Sequence, residues 1–313
     1  DKSYFEIPDF LLRSIISEKQ DFFYFQKQDD ELLNCFAFIS NKISDKKSKL
    51  IVGNENVLKA RFSDAIFFLE EDKKVSFQQR LELLKDIVFY ENVGTLYDRS
   101  LRIKEITQII SRKLNYNLSD DIKKNLQYSN IDLTTELVKE FPILQGKVGG
   151  FYASLAGFKN DLCNAFSDQY NLSFDKRNNN ILSFILSISQ KIDSIYGFFL
   201  TGKKLTGAGD PFGLRRSAIG IIKISLEKKI NVEYSEILNI CHKFYNNQGI
   251  KININKTLLE DFLNKRLYIY LNDLGFRQDS IKSVLSDMKF NPYLIYEKVK
   301  VLESFIESQE GKL

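Results

Sequence analysis

A mainly α fold with a small α+β segment at the N-terminus is what the sequence predicts, on three observations. Proline is scarce, four in 313 residues, so long stretches lack the residue that interrupts a helix. From Gly53 onward apolar residues recur at the spacing of an amphipathic helix. Runs that read as strands fall within residues 1–50. Hydrophobic residues make up 43% and charged residues 27%, an ordinary balance for a globular chain. The length supports a sizeable core in two or three domains. No internal repeat or low-complexity block interrupts it.

Pro8-Asp9 leads into FLLRSIISE, a short helix with Asp9 near its start. FFYFQ and LLNCFAFIS, separated by KQDDE, read as an antiparallel hairpin. Their aromatic residues read as core, because no Lys or Arg alternates among them as on a base-stacking surface. RFSDAIFF, from Arg61, opens the next helix. SFQQRLELLKDIVFYENVG follows, with Leu81, Leu84, Ile87 and Val88 on one face and Gly94 as its end. Ser76 and Gln79 make a capping box there. YDRSLRIKEITQIISRKL turns Ile103, Ile106, Ile109 and Ile110 inward. SDDIKKNLQYSNIDLTTELVKEF adds helix, with Asp120 and Asp121 in the first turn, where the dipole favours them. Gln145-Gly146 and Gly149-Gly150 mark turns or close backbone approach. FKNDLCNAFSDQY is amphipathic, SFDKRNNN is a polar loop, and a long helical segment starts at Ile181. After Lys229 come EYSEILNICHKFYNN, closing near Gly249, and NKTLLEDFLNKRLYIYLNDLGF, closing at Gly275. RQDSIKSVLSDM stops before Asn291-Pro292, and a last helix from Tyr293 carries Leu294, Val299, Leu302 and Phe305. Such helices pair into a C-terminal bundle.

Charge concentrates in one place. From Lys191 to Lys229 there are eight Lys/Arg and three Asp/Glu, a net +5 against +4 for the whole chain. Asp210-Pro211 reads as a helix start, Asp as N-cap and Pro in the first turn. Before it lies a glycine loop with Gly202, Gly207 and Gly209 that carries Lys203 and Lys204. A cationic loop feeding a helix N-terminus suits a phosphate group. Within the helix Arg216 and Lys223 share a face with Gly220 between them. Arg215 lies on the apolar stripe of Ile219, Ile222 and Leu226 and is expected half-buried against a carboxylate. Lys203, Lys204, Arg216 and Lys223 are the candidate RNA-binding residues; Gly207, Gly209, Asp210, Pro211 and Arg215 are the structural ones. The plain alternative is a solvated loop around a structural glycine turn.

Other chemistry is weak or missing. Gly197 and Gly202-Lys203-Lys204 approach the GxxxxGK[ST] phosphate loop, but the hydroxyl residue is absent and a helical segment precedes it where that motif needs a strand. His242 is the one histidine, and a lone His more often packs or faces solvent than holds a metal. No catalytic residue and no metal ligand set is assigned. Asp64, Glu70, Glu71, Asp98 and Glu140 read as solvated or salt-bridged. Cys35, Cys163 and Cys241 are odd in number without ligand spacing, as in a reduced intracellular protein. No apolar run approaches the roughly 18 residues of a membrane helix, and no signal peptide is visible.

GDPFGLRRSAIGIIKI resembles the Asp-Pro-Phe-x-Leu-Arg-Arg signature of the β subunit of bacterial heterotetrameric glycyl-tRNA synthetase. GNENVLKARFSDAIFF from Gly53, VGTLYDRSLRI from Val93, IDLTTELVKEFPILQGKVGGFYA from Ile131 and RLYIYLNDLGFRQDSIKSVLS from Arg266 resemble further blocks of that family. Five blocks in order are specific where one would be weak.

The resemblance implies a central piece of a longer subunit. Residues 1–50 would be the α+β segment, 51–230 an HD-like helical domain, and 231–313 a helical region leading toward an anticodon-binding domain that the chain lacks. The HD superfamily holds a metal with a His-Asp doublet and a later Asp. Here the doublet falls at Leu155 and Ala156 and the Asp at Gln190, while Lys191 and Asp193 are kept. Leu and Ala neither coordinate a hard cation nor activate water, so a scaffold is implied. Asp64 and Asp98, both in matching blocks, become the candidate partners of Arg215. The implied function is a non-catalytic part of glycine–tRNA ligase, supporting the catalytic α subunit and tRNA binding in the cytoplasm as part of an α2β2 assembly. The fragment itself needs no cofactor; ATP and Mg2+ act at the α subunit. The rivals are an HD-type metal phosphohydrolase and an assembly scaffold that never touches RNA.

Overall fold

The computed structural model describes residues 4, 7–19, 21–40, 47–175, 178–202, 210, 212–251 and 254–312. In chain order these form α1 (Asp9–Ser14), β1 (Phe23–Gln26), β2 (Leu32–Ala37), α2 (Lys47–Lys73), α3 (Phe77–Leu83), α4 (Leu96–Lys113) and α5 (Asp120–Asn125). Then come α6 (Glu136–Glu140), α7 (Lys147–Leu155), α8 (Asn160–Asp168), α9 (Ile181–Leu200), α10 (Leu214–Glu227), α11 (Tyr234–Asn247), α12 (Lys256–Asp273), α13 (Gln278–Ser286) and α14 (Pro292–Glu307). The fold is mainly α, and its small N-terminal α+β segment holds a single two-stranded sheet among the described residues. The chain forms two compact units: Asp1–Arg80 with Ile131–Val148, and Leu81–Asn130 with Gly149–Leu313.

In the first unit the hairpin forms as the aromatic runs predict. Phe23 pairs with Ala37, Tyr24 with Phe36 and Gln26 with Leu32, with an irregularity between Tyr24 and Gln26. Its aromatic residues are not the expected core. Phe23 and Phe25 are exposed, and Phe22, Phe36 and Phe38 stack on one another half-buried, while Leu32 alone of the strand residues is buried. A lone two-stranded ribbon covers too little surface to bury both its faces. Helix α2 begins well before Arg61 and passes through Gly53 without a break. The glycine penalty of about 1 kcal/mol is small beside the burial of Leu58, Ala65 and Leu69 along the helix. The capping box at the start of α3 is present: Gln79 Oε1 accepts from the Ser76 N–H, and Ser76 Oγ accepts from the Gln79 N–H.

Two polar devices lock this unit. Buried Arg80 donates to Asp72 Oδ1 at 3.0 Å, and the Asp72 carboxylate also accepts the Glu136 and Leu137 N–H groups at 2.9 and 3.2 Å. Asp72 thus caps α6 from α2. Asp132 is fully buried, with Oδ2 accepting from the Gly146 N–H and Oδ1 without a partner. Burial pushes its pKa up to about 6 against the pull of the Gly146 N–H.

In the second unit α9 is the axle: α4, α8, α10 and α11 all pack on it, and nearly its whole circumference is buried. Helices α12 and α14 pack on α10, and α13 joins α12 to α14. Ile103, Ile106 and Ile110 of α4 are buried as expected, and Ile109 is half-buried. Helix α3 ends before the residues expected to extend it. Ile87 is extended, Val88 bridges Thr95, and Asn92 and Gly94 adopt positive φ in a tight turn. β-branched Ile87-Val88 followed by Asn-Val-Gly suits a turn better than a helix. The expected helix from Ser119 is likewise broken, into α5, 3-10 turns and α6, with Ser119 capping the first and Thr135 the last.

Candidate nucleic-acid interface

Helix α10 starts at Leu214, later than Asp210-Pro211 suggests. Gly213, at φ 65°, occupies the N-cap position in a left-handed conformation that glycine tolerates. Asp210 still caps the helix from outside: its carboxylate accepts the Arg215 and Arg216 N–H groups, both at 3.1 Å. An internal anion therefore already sits where the dipole would hold a phosphate, and an external anion must be met by side chains. Lys203, Lys204, Gly207, Gly209 and Pro211 lie outside the described residues.

The two arginines separate as their helical faces predict. Arg216 is 68% exposed, with Nε 3.7 Å from Asp210 Oδ2. Arg215 is half-buried. Its two candidate carboxylates are engaged elsewhere. Asp98 accepts from the Thr95 N–H and hydroxyl to cap α4, and Asp64 pairs with Arg61 of its own helix at 3.5 Å. Arg266, on α12, is half-buried, with its guanidinium 5.4 Å from the Phe262 ring centre and a buried Nε that has no hydrogen-bond partner. Burial lowers its pKa first, the Arg215 charge lowers it further, and Asp210 opposes both. Arg216 thus stays near the Asp210 carboxylate, and Arg266 feels the charges of both Arg215 and Asp210. Arg266 opens one of the matching sequence blocks, but nothing in its local sequence signals that α12 brings it here.

The face beyond Arg216 is less basic than counting suggests. Lys223 is half-buried. Lys191 is 5% exposed, and its Nζ donates to Asn171 O and Ser187 Oγ, both at 2.6 Å. Burial pulls its pKa down to about 7. Gly220 makes room for it: a Cβ at that position would lie 2.6 Å from Lys191 Cε. Lys228 also turns inward, donating to Asp175 O and Asn178 O.

The deeply buried arginine of this unit is one that sequence reasoning missed. Arg102, 1% exposed, holds Asp193, 0% exposed, with Nε–Oδ1 at 2.8 Å and Nη2–Oδ2 at 3.3 Å. Tyr245 donates its hydroxyl to Asp193 at 2.9 Å, Gln248 Oε1 accepts from Arg102 Nη1 at 2.7 Å, and the guanidinium lies 3.9 Å from the Tyr245 ring centre. Burial is the largest single influence and works against the Arg102 charge, but Asp193, Tyr245 and Asp98 together outweigh it and leave the guanidinium pKa raised. The lone histidine packs: His242 Nδ1 is 3.2 Å from the Tyr196 hydroxyl.

The positions matching HD ligands stand apart in their surroundings. Leu155 and Ala156 are exposed at the end of α7. Gln190 is buried; its Nε2 donates to Gln169 Oε1 at 2.7 Å and Asn130 Oδ1 at 3.3 Å, and its Oε1 accepts from Arg99 at 2.8 Å. Amides with an arginine among them do not fit a divalent cation, which wants anionic oxygens or imidazoles. Among the described residues no three His, Cys, Asp or Glu gather as a metal site, and no helix is long and apolar enough to cross a membrane.

The family described as glycyl-tRNA synthetase beta subunit matches residues 1–286. A glycine–tRNA ligase beta subunit of Buchnera aphidicola (from Schizaphis graminum) is 37% identical over 300 residues, covering 95% of this chain and 43% of that protein. The Aquifex aeolicus beta subunit is 36% identical over 313 residues, covering 99% and 45%. That of Colwellia psychrerythraea is 32% identical over 313 residues, again covering 99% and 45%. The chain spans less than half the length of these curated relatives.

Proposed function

The chain belongs to the glycyl-tRNA synthetase β-subunit family, and from that premise we propose that it is a non-catalytic part of glycine–tRNA ligase that helps bind tRNA. In this reading it acts in the cytoplasm within an α2β2 assembly, supporting a catalytic α subunit at which ATP and Mg2+ act. The observation that supports RNA contact is the head of α10. Arg216 stands 68% exposed there, whereas Lys191 and Lys228 are engaged by backbone carbonyls of the protein. Contacts of this kind meet phosphate and sugar and give position rather than sequence readout. No catalytic step is assigned to this chain, and alone it should support no glycine-dependent ATP–pyrophosphate exchange.

The test is a salt titration of tRNA binding by the full-length β subunit with its partner subunit. Each lost phosphate contact flattens the plot of log affinity against log salt by about 0.7–0.9. A triple variant of Lys203→Ala, Lys204→Ala and Arg216→Ala should bind more weakly with a shallower slope. Wild-type affinity and slope in the triple variant would remove the RNA contact and leave an assembly scaffold.

A further inference from the structure

One aromatic ring at the head of α10 has an environment that core packing does not account for. Phe212, two residues after Asp210, keeps 45% of its surface exposed. It is braced from behind: its ring centre lies 5.0 Å from that of Phe198 at 47° and 6.0 Å from that of Tyr90 at 79°. The Arg216 guanidinium lies over the next residue, Gly213, where an added Cβ would be 3.4 Å from Arg216 Nη2. The Asp210 carboxylate, the nearby anion, is occupied by two backbone N–H groups and Arg216. A braced, half-open ring followed by a residue over which an exposed guanidinium lies offers the two elements with which proteins hold unpaired nucleotides, a face for the base and a cation for the phosphate. The local charge favours RNA over an apolar protein partner: Arg216 is 68% exposed, and the Arg215 charge is felt by Arg266 close to the same helix start.

We propose that Phe212 is a base-stacking platform, on which an unpaired nucleotide of bound tRNA lays its base while its phosphate meets Arg216. This rests on the RNA-binding reading above and adds to it the residue that takes the base. The bracing serves the stacking, because a ring already fixed by Phe198 and Tyr90 loses little freedom when a base covers it.

The experiment measures tRNA binding by the full-length β subunit with its partner subunit, across a salt series. Phe212→Ala should weaken binding about 5- to 150-fold, the range for one lost stacking contact, without altering the salt slope, since no charge is removed. Phe212→Leu keeps an apolar side chain against Phe198 and Tyr90 but has no π face, and should weaken binding similarly. Phe212→Trp should keep the affinity, and its fluorescence, read against the wild-type assembly, should be quenched as tRNA is added. The Leu and Trp variants decide the matter if the Ala variant is unstable. Wild-type affinity in the Ala and Leu variants, with Arg216→Ala still flattening the slope, would overturn the platform and leave the phosphate contact standing. No effect from any of these would remove both readings. Weakened subunit association without RNA, seen by sedimentation of the Phe212 variants, would make the ring a protein contact and also overturn the platform.

Discussion

Arg102→Ala should destabilise the larger unit more than loss of any surface cation. Its guanidinium is 1% exposed and supplies two hydrogen bonds to Asp193, one to Gln248 and a face against Tyr245. Removing it leaves Asp193 fully buried, with the Tyr245 hydroxyl at 2.9 Å and Arg99 Nε at 3.8 Å. Breaking a buried pair from one side costs about 3–5 kcal/mol. Arg99 offsets part of this, while loss of the stacked side chain adds about 1 kcal/mol. A net loss of about 4 kcal/mol follows, which for a unit of this size lowers Tm by about 8–16 °C. Urea and thermal melts of Arg102→Ala and of the double variant Arg102→Leu, Asp193→Leu measure it. The double variant should be the more stable of the two, because it leaves no fully buried carboxylate without its main partner. An Arg102→Ala loss below about 1 kcal/mol, or a double variant less stable than Arg102→Ala, would refute the reasoning.

Gly150→Ala should cost about 3 kcal/mol, because its Cβ would lie 1.9 Å from Ser167 Oγ and 2.5 Å from Cys163 O. Adding Ser167→Ala should not restore Tm, since the Cys163 carbonyl remains; full recovery would show that the side chain alone set the distance. Lys191, pulled down to about 7 from 10.5, gives a native state that binds fewer protons than the unfolded chain between those values, so its contribution makes stability rise with pH there. Lys191→Met should flatten that rise between about pH 7 and 9 in urea melts, and an unchanged profile would contradict it. Asp132, pushed up to about 6 from 3.8, works the other way: the native state holds the extra proton, and this stability is lost as pH rises through 6. Asp132→Asn should remove that fall between about pH 4 and 6, and a wild-type slope in the variant would count against it.

What could be read from the sequence was what local spacing controls. The helical periods, the Ser76–Gln79 capping box and the hairpin all depend on residues a few positions apart. The ends of α2 and α3 were not readable, because tertiary burial carried one helix through Gly53 and a turn cut the other short at Leu83. At the candidate site, Asp210 was recognisable as a cap and Arg215 and Arg216 as facing differently. Lys191 entered the charge count like any other cation, because nothing in its local sequence shows that Gly220, brought in by α10, leaves room for its stem. Arg102 and Asp193 are 91 residues apart, and no short-range pattern marks one as the other's partner. Phe212 read as one apolar residue of a helix, yet it precedes the helix and stands half open on Phe198 and Tyr90.

The smaller unit is assembled from two stretches of chain, and this sets a timetable for the nascent polypeptide. Asp72 and Arg80 leave the ribosome well before Glu136 and Leu137, whose backbone N–H groups complete the Asp72 carboxylate's shell across 64 and 65 residues. At about 5–20 residues per second, α2 waits several seconds for the short helix it caps. Throughout that interval Leu58, Ala65 and Leu69 are already synthesised while the segment containing α6, against which α2 packs, is still being made. The residues between belong to the other unit, so slowed translation there prolongs the period in which the apolar residues of α2 are open to chaperones.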